Sequence, residues 1–312
     1  MRSPSFPNSE TASRAPFRRF LRTLDGVTID SVYEPASLVY EAEYDARRPP
    51  SRDLVFVVAH GFTGDLERPH VRRVARALAR HGAVVTFSFR GHGASGGRST
   101  VGDREVLDLA AACAWARELG HTRVATVGFS MGGSVVLRHA ALHGRAAHEG
   151  RTEARTDAVR TNGVPTDAAR ADAARADAAG TDAVVSVSAP ARWYYRGTAP
   201  MRRLHWLVTR PLGRAVGRYG LRTRIHHREW DPVPSSPVES VPLIAPTPLL
   251  IVHGDRDGYF PVDHPRMLAA AAGDHGELWL EPGMGHAEHA ADDGLLRRIG
   301  AWAAAAAFQA SR

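Results

Sequence analysis

Three kinds of reactive side chain stand at telling places in this chain. Residues 128–133 read G-F-S-M-G-G, with Ser130 between Gly128 and Gly132. Glycines two before and two after a serine let a strand turn into a helix so sharply that the hydroxyl is strained and exposed. A serine hydroxyl is a poor nucleophile without a base, and the base needs an orienting carboxylate. Both are available downstream. The stretch I-V-H-G-D-R-D-G-Y-F-P at 251–261 carries Asp255 and Asp257, just past an apolar run, on the edge where α/β sheets place their sites. E-P-G-M-G-H-A-E-H at 281–289 puts His286 in a glycine-rich loop, with His289 as an alternative at the approach to the last helix. The order serine, acid, histidine differs from the chymotrypsin and subtilisin orders. The chemistry it fits is acyl transfer through a serine ester.

The remaining candidates read as structural. His60 and His92 flank glycines and are expected to fix turns by hydrogen bonding. No H-E-x-x-H or comparable ligand spacing occurs, and the adjacent His226 and His227 are expected to face apart, so neither a metal nor any other cofactor is called for. Cys113, the single cysteine, lies in A-A-A-C-A-W and reads as a small buried hydrophobe.

Positioning these groups requires a scaffold, and the apolar pattern supplies one. Strands are expected at 25–34, 39–44, 54–59, 84–89, 124–129, 183–188, 249–253 and 277–280. Helical patterns at 68–80, 103–118, 131–143, 263–271 and 293–309 alternate with them. Near-continuous apolar strands separated by amphipathic helices predict an α/β fold with a mostly parallel central sheet flanked by helices. Residues 1–17 are expected to be a disordered tail, followed by core over 18–189 and 246–312. Two segments break the pattern. Residues 144–181 hold six arginines and six acids with almost no large apolar side chain, and read as a low-complexity surface insertion. Residues 190–229 hold ten arginines and one acid, Glu229, among Trp, Tyr and Leu; the range 190–245 reads as a helical cap.

Composition narrows the partners. The chain has 312 residues, 44% of them hydrophobic, and a formal charge of +7. All 40 of its basic residues are Arg, which reads as compositional bias rather than design for a partner. There is no zinc-finger spacing, aromatic RNA-binding signature or basic zipper helix, so no nucleic-acid partner is expected. Peripheral contact with an anionic membrane is permitted by the charge but weakly supported, and the oligomeric state stays open. No apolar stretch approaches about 18 residues and the N-terminus lacks a signal-peptide core, so a cytoplasmic protein is the default.

Taken together, four motifs resemble the α/β-hydrolase superfamily, in its serine-hydrolase branch of esterases, monoacylglycerol-lipase-like enzymes and small aminopeptidases. They are H-G-F-T-G at 60–64, F-R-G-H-G-A-S-G-G at 89–97, G-F-S-M-G-G, and the pair G-D-R-D-G-Y-F-P with G-M-G-H. The resemblance spans roughly residues 24–309. It implies Ser130 as nucleophile, selects Asp257 over Asp255 and His286 over His289, and puts the oxyanion-hole amides on Phe62 and Met131. Ser88 departs from the family, where Asp often stands two residues before the Arg of R-G-H-G. The implied activity is hydrolysis of a small-molecule carboxylic ester or thioester with an apolar acyl or alcohol part. Alternatives are a small amide or peptide hydrolase, a cofactor-free perhydrolase or C–C hydrolase, and a catalytically silent binding protein.

Overall fold

A computed structural model of the protein describes residues 15–37, 51–143 and 177–309. Eight strands form one sheet: β1 (Phe17–Arg22), β2 (Thr28–Glu34), β3 (Ser51–Ala59), β4 (Gly82–Phe87), β5 (Arg123–Phe129), β6 (Ala183–Val187), β7 (Leu249–Gly254) and β8 (Gly276–Glu281). Their spatial order is β1-β2-β4-β3-β5-β6-β7-β8. The β1–β2 and β2–β4 pairs are antiparallel and all the others parallel.

Among the described residues the helices are α1 (Pro69–Leu78), α2 (Glu105–Glu118), α3 (Met131–His143), α4 (Ala199–Thr209), α5 (Pro211–Gly220), α6 (Pro237–Ser240), α7 (Asp263–Ala272), α8 (Ala287–Ala290) and α9 (Asp293–Gln309). Parallel neighbours need a crossover between them, and α1 and α3 supply two of these. The central strands are apolar on both faces because both are covered. On β3, Leu54, Phe56 and Val58 face a cluster with Val74 and Leu78 of α1 and Leu296 and Ile299 of α9. The alternate residues Val55, Val57 and Ala59 face the other layer, with Leu109 and Trp115 of α2 and Val135 and Val136 of α3. Cys113 is fully buried in that second layer, and burial pushes its thiol up to about 12.

Three expectations change. β1 begins at Phe17, inside the expected disordered tail; only Leu21 of its six residues is buried, so F-R-R-F-L-R carries no strong alternation. Antiparallel pairing with β2 and packing of Phe17 on Tyr33 and Trp115, with centroids 5.5 and 5.7 Å away, hold this edge strand. Within the expected cap range, Val241 and Ile244 are buried in the core layer of α2 and α3. His226 and His227 stack, with centroids 5.1 Å apart and planes 24° apart, because the chain bends after them instead of extending. The expected strand at 39–44, residues 1–14 of the tail and residues 144–176 of the insertion lie outside the described residues. Among the described residues, no helix is long and apolar enough to cross a membrane.

The parallel topology has one consequence for chemistry. The loops that follow β3, β5, β7 and β8 leave the same edge of the sheet, and they carry Phe62, Ser130, Asp257 and His286.

Candidate active site

Ser130 sits between the end of β5 and the start of α3 with φ 51°, a left-handed conformation that non-glycine residues adopt only under strain. Its flanking glycines are needed for space. A Cβ on Gly128 would lie 2.2 Å from the Gly132 carbonyl oxygen, and one on Gly132 would lie 2.2 Å from that of Ala59. The turn is pinned by the Ser130 amide, which donates to the Val187 carbonyl at 2.8 Å.

The acid and the histidine arrive on two loops that are stitched together. A Cβ on Gly254 would lie 2.1 Å from the Met284 carbonyl oxygen, so the end of β7 touches the loop after β8. Asp255 accepts the Gly283 amide at 2.7 Å and ties the same two loops. Asp257 points to the histidine instead. Its Oδ2 accepts from His286 Nδ1 at 2.7 Å, and its Oδ1 accepts the amides of Tyr259 and Phe260 at 2.8 and 3.1 Å. Burial pushes the Asp257 carboxyl up, but the His286 hydrogen bond and its neighbours outweigh this and hold it below the ordinary carboxylate value. With Nδ1 donating, the unprotonated Nε2 of His286 faces Ser130 Oγ at 2.9 Å, and the hydroxyl donates to it.

Residues without a local signature support this chain. The Tyr259 ring stacks on the His286 imidazole, centroids 4.2 Å apart. Ser188 Oγ accepts the amide of Ala287, the residue after His286, at 3.0 Å. His253 donates through Nε2 to the Phe260 carbonyl at 2.8 Å and braces the acid loop.

The loop after β3 is held from three sides. His60 Nδ1 donates to the Gly61 carbonyl at 2.7 Å while its Nε2 accepts the Phe89 amide at 3.0 Å. His92 Nδ1 donates to the Arg90 carbonyl at 3.0 Å, and its Nε2 accepts the Thr63 amide at 3.4 Å. Burial drives both imidazoles down, to about 3 and about 4, so both are neutral hydrogen-bonding struts. The third support is Glu288, nearly fully buried on α8, whose Oε1 accepts the Gly61 amide at 3.1 Å. Between these supports lies Phe62. Among the described residues, neither the Phe62 nor the Met131 amide donates to a protein acceptor. Ser88, where the family often has Asp, accepts the Leu66 amide at 3.1 Å.

Ser130, Phe62 and Met131 open into a cavity of about 320 Å³ roofed by α4 and the segments on either side of α4 and α5. Its aromatic walls are oriented by their polar ends. Trp230 Nε1 donates to the Thr100 carbonyl at 2.7 Å and Trp193 Nε1 to the Pro234 carbonyl at 3.0 Å. Met201, Leu204 and Val208 of α4 add aliphatic surface, and Arg192, Arg196, Arg214 and Arg228 bring charge against one acid, Glu229. His289 does not join the Ser130 chain of hydrogen bonds; its ring packs on His70, centroids 3.8 Å apart.

Sequence and fold comparisons agree with one another. A family model described as alpha/beta hydrolase fold matches residues 55–290. An esterase from Pyrococcus furiosus shares the fold at 18% identity and a TM-score of 0.62, covering 98% of this chain and 97% of that chain. The alpha/beta hydrolase GrgF from Penicillium sp. sh18 is similar at 16% identity and a TM-score of 0.60, covering 95% of this chain and 100% of that one. An a/b serine hydrolase without lid from Xanthomonas campestris is similar at 18% identity and a TM-score of 0.54, covering 98% and 97%. No curated protein sequence matches the chain significantly.

Proposed function

The chain belongs to the alpha/beta hydrolase fold family, and from that premise we propose that it is a serine hydrolase cleaving carboxylic esters or thioesters with an apolar acyl or alcohol part. The observation that carries this reading is the unbroken path Ser130 Oγ to His286 Nε2 at 2.9 Å and His286 Nδ1 to Asp257 at 2.7 Å.

In the proposed reaction, His286 Nε2 takes the Ser130 proton as Oγ bonds to the acyl carbon. The carbonyl π pair moves onto oxygen, and the amides of Phe62 and Met131 receive the oxyanion; such donors are worth roughly 3–4 kcal/mol each. Collapse breaks the bond to the leaving oxygen or sulfur, which departs with the proton from His286 Nε2. Water then gives a proton to the same nitrogen and adds to the acyl-serine, and a second collapse returns the proton to Ser130 and frees the acid. Asp257 keeps Nδ1–H in place and stabilises the imidazolium, without taking the proton. The aromatic and aliphatic lining favours an apolar substrate part.

Intact-mass labelling with a small fluorophosphonate tests the nucleophile. One adduct per chain, absent from Ser130→Ala, is expected; an unlabelled but folded wild type sinks the reading. A chain-length series of p-nitrophenyl esters then sizes the cavity.

A further inference from the structure

A second cluster of reactive side chains lies outside the Ser130 path. His70, at the start of α1, and Glu288 and His289, on α8, bring three ligand atoms to within 4.8 Å of one another. They are the one such group of three among the described residues. Glu288 is the unusual member. Its side chain is 4% exposed, yet in a chain with 40 arginines no guanidinium among the described residues pairs with it. Its cationic candidate is His70, whose Nε2 stands 3.7 Å from Oε1, beyond hydrogen-bonding range. No charged partner among the described residues therefore lies within hydrogen-bonding distance of this carboxylate. A buried carboxylate with so little compensation is costly unless a cation completes it.

We propose that His70, Glu288 and His289 bind a borderline-soft transition-metal dication, Zn²⁺ by ligand chemistry, which pins α1 to the segment directly following His286. Two imidazoles and one carboxylate suit Zn²⁺ and disfavour Ca²⁺ and Mg²⁺, which take oxygen ligands. Zinc bonds of about 2.1 Å draw ligand atoms to roughly 3.4 Å from one another. His289 is the exposed member of the three. The backbone frame is already fixed: Arg73 of α1 donates to the carbonyls of Glu288 and Ala291 at 2.9 and 2.7 Å. Glu288 keeps its bond to the Gly61 amide through one oxygen lone pair and has others for the metal. Arg68, the nearby cation, is engaged by Asp65 at 3.4 Å. This site does not depend on the hydrolase reading.

The test uses chelator-stripped full-length protein titrated calorimetrically with Zn²⁺ alone, and with Co²⁺ for its visible spectrum. One equivalent is expected to bind, to give tetrahedral Co²⁺ bands and to raise Tm. His289→Ala, an exposed change safe for folding, is expected to weaken binding by more than the roughly 10–100-fold typical of losing a supporting group outside the ligand set. His70→Ala is expected to do the same. The double variant His226→Ala/His227→Ala, which removes the stacked pair elsewhere, is expected to leave that affinity unchanged. Absence of a stoichiometric wild-type site, or a site that survives His289→Ala but not the double variant, overturns the proposal.

Discussion

Gly61 and Glu288 are 227 residues apart in the sequence, yet the amide of the first donates to the carboxylate of the second at 3.1 Å. The bond fastens the loop carrying Phe62 to the short helix that begins right after His286. The two proposed halves of the reaction, proton transfer and oxyanion binding, therefore share one strut. Glu288→Ala is expected to cost about 1–3 kcal/mol, the penalty for a buried amide left without an acceptor. It is also expected to lower kcat more than it raises KM, because Glu288 does not line the cavity. Glu288→Gln retains a carbonyl acceptor and should recover most of the loss. Urea unfolding and ester kinetics on the three proteins check this; an alanine variant as stable and fast as wild type would detach the strut from the loop.

Asp257 fixes which ring nitrogen of His286 carries the proton. In Asp257→Asn the amide either presents its NH₂ to Nδ1, forcing the proton onto Nε2, or presents its oxygen with no negative charge behind it. In the first case Nε2–H faces Ser130 Oγ and cannot accept from it. The expected loss in kcat is about 10⁴-fold, the size seen for the equivalent change in a serine protease. Folding is expected to survive, because with the NH₂ towards Nδ1 the Asn oxygen still takes the Tyr259 and Phe260 amides. A variant within tenfold of wild type would mean that Asp257 is not the orienting acid.

How much of this was legible in the chain follows from how local each requirement is. Ser130 needs close backbone approach on both sides, of Gly128 to Gly132 and of Gly132 to Ala59, and the two glycines write that need into the sequence within five residues. Asp257 and His286 sit just past apolar strands, and parallel topology brings such loop residues to one edge. Asp255 and Asp257 look alike in sequence; the distinction is that one accepts the Gly283 amide and the other faces the imidazole. Glu288, Tyr259 and Ser188 left no signal, because each works by a contact with a distant segment or by a ring placed over His286. The same holds for His70 and His289, whose meeting depends on how α1 lies against α8. β1 carries no such signal for a different reason: only Leu21 of this edge strand's six residues is buried, so there is almost no burial pattern to display.

His60 and His92 predict an acid limit to stability. Both are fully buried, and burial lowers them from 6.5 to about 3 and about 4 respectively. The unfolded chain therefore binds these protons at a higher pH than the folded one. Stability is complete above the unfolded value of 6.5 and falls as the pH drops from there to about 4, with His60 continuing to about 3. Each group withdraws about 1.4 kcal/mol per pH unit across its window. Denaturation midpoints should hold from pH 7.5 to about 6.5 and then fall towards pH 4.5, and His92→Gln should be less stable at pH 7.5 but show a shallower decline. An equal slope in the variant would move the acid sensitivity elsewhere.

The last prediction concerns charge at the cavity. Arg192, Arg196, Arg214 and Arg228 line it against Glu229, and Arg192 is drawn off by Asp263 at a loose 3.4 Å between exposed groups. An excess of guanidinium repels a cationic substrate part and leaves a neutral one indifferent. Butyrylcholine and 3,3-dimethylbutyl butyrate match in shape and differ by one positive charge. The choline ester is expected to have a kcat/KM lower by on the order of tenfold in dilute buffer, about 1.4 kcal/mol. Because the arginine heads reach solvent, added salt should shrink the gap, with most of the effect gone once the screening length falls to about 3 Å at 1 M. Arg228→Gln, on the side opposite Arg192 in sequence and in no hydrogen bond through its guanidinium among the described residues, should narrow the gap without changing the neutral ester. Equal rates for both esters at low salt would assign these arginines to solvent alone.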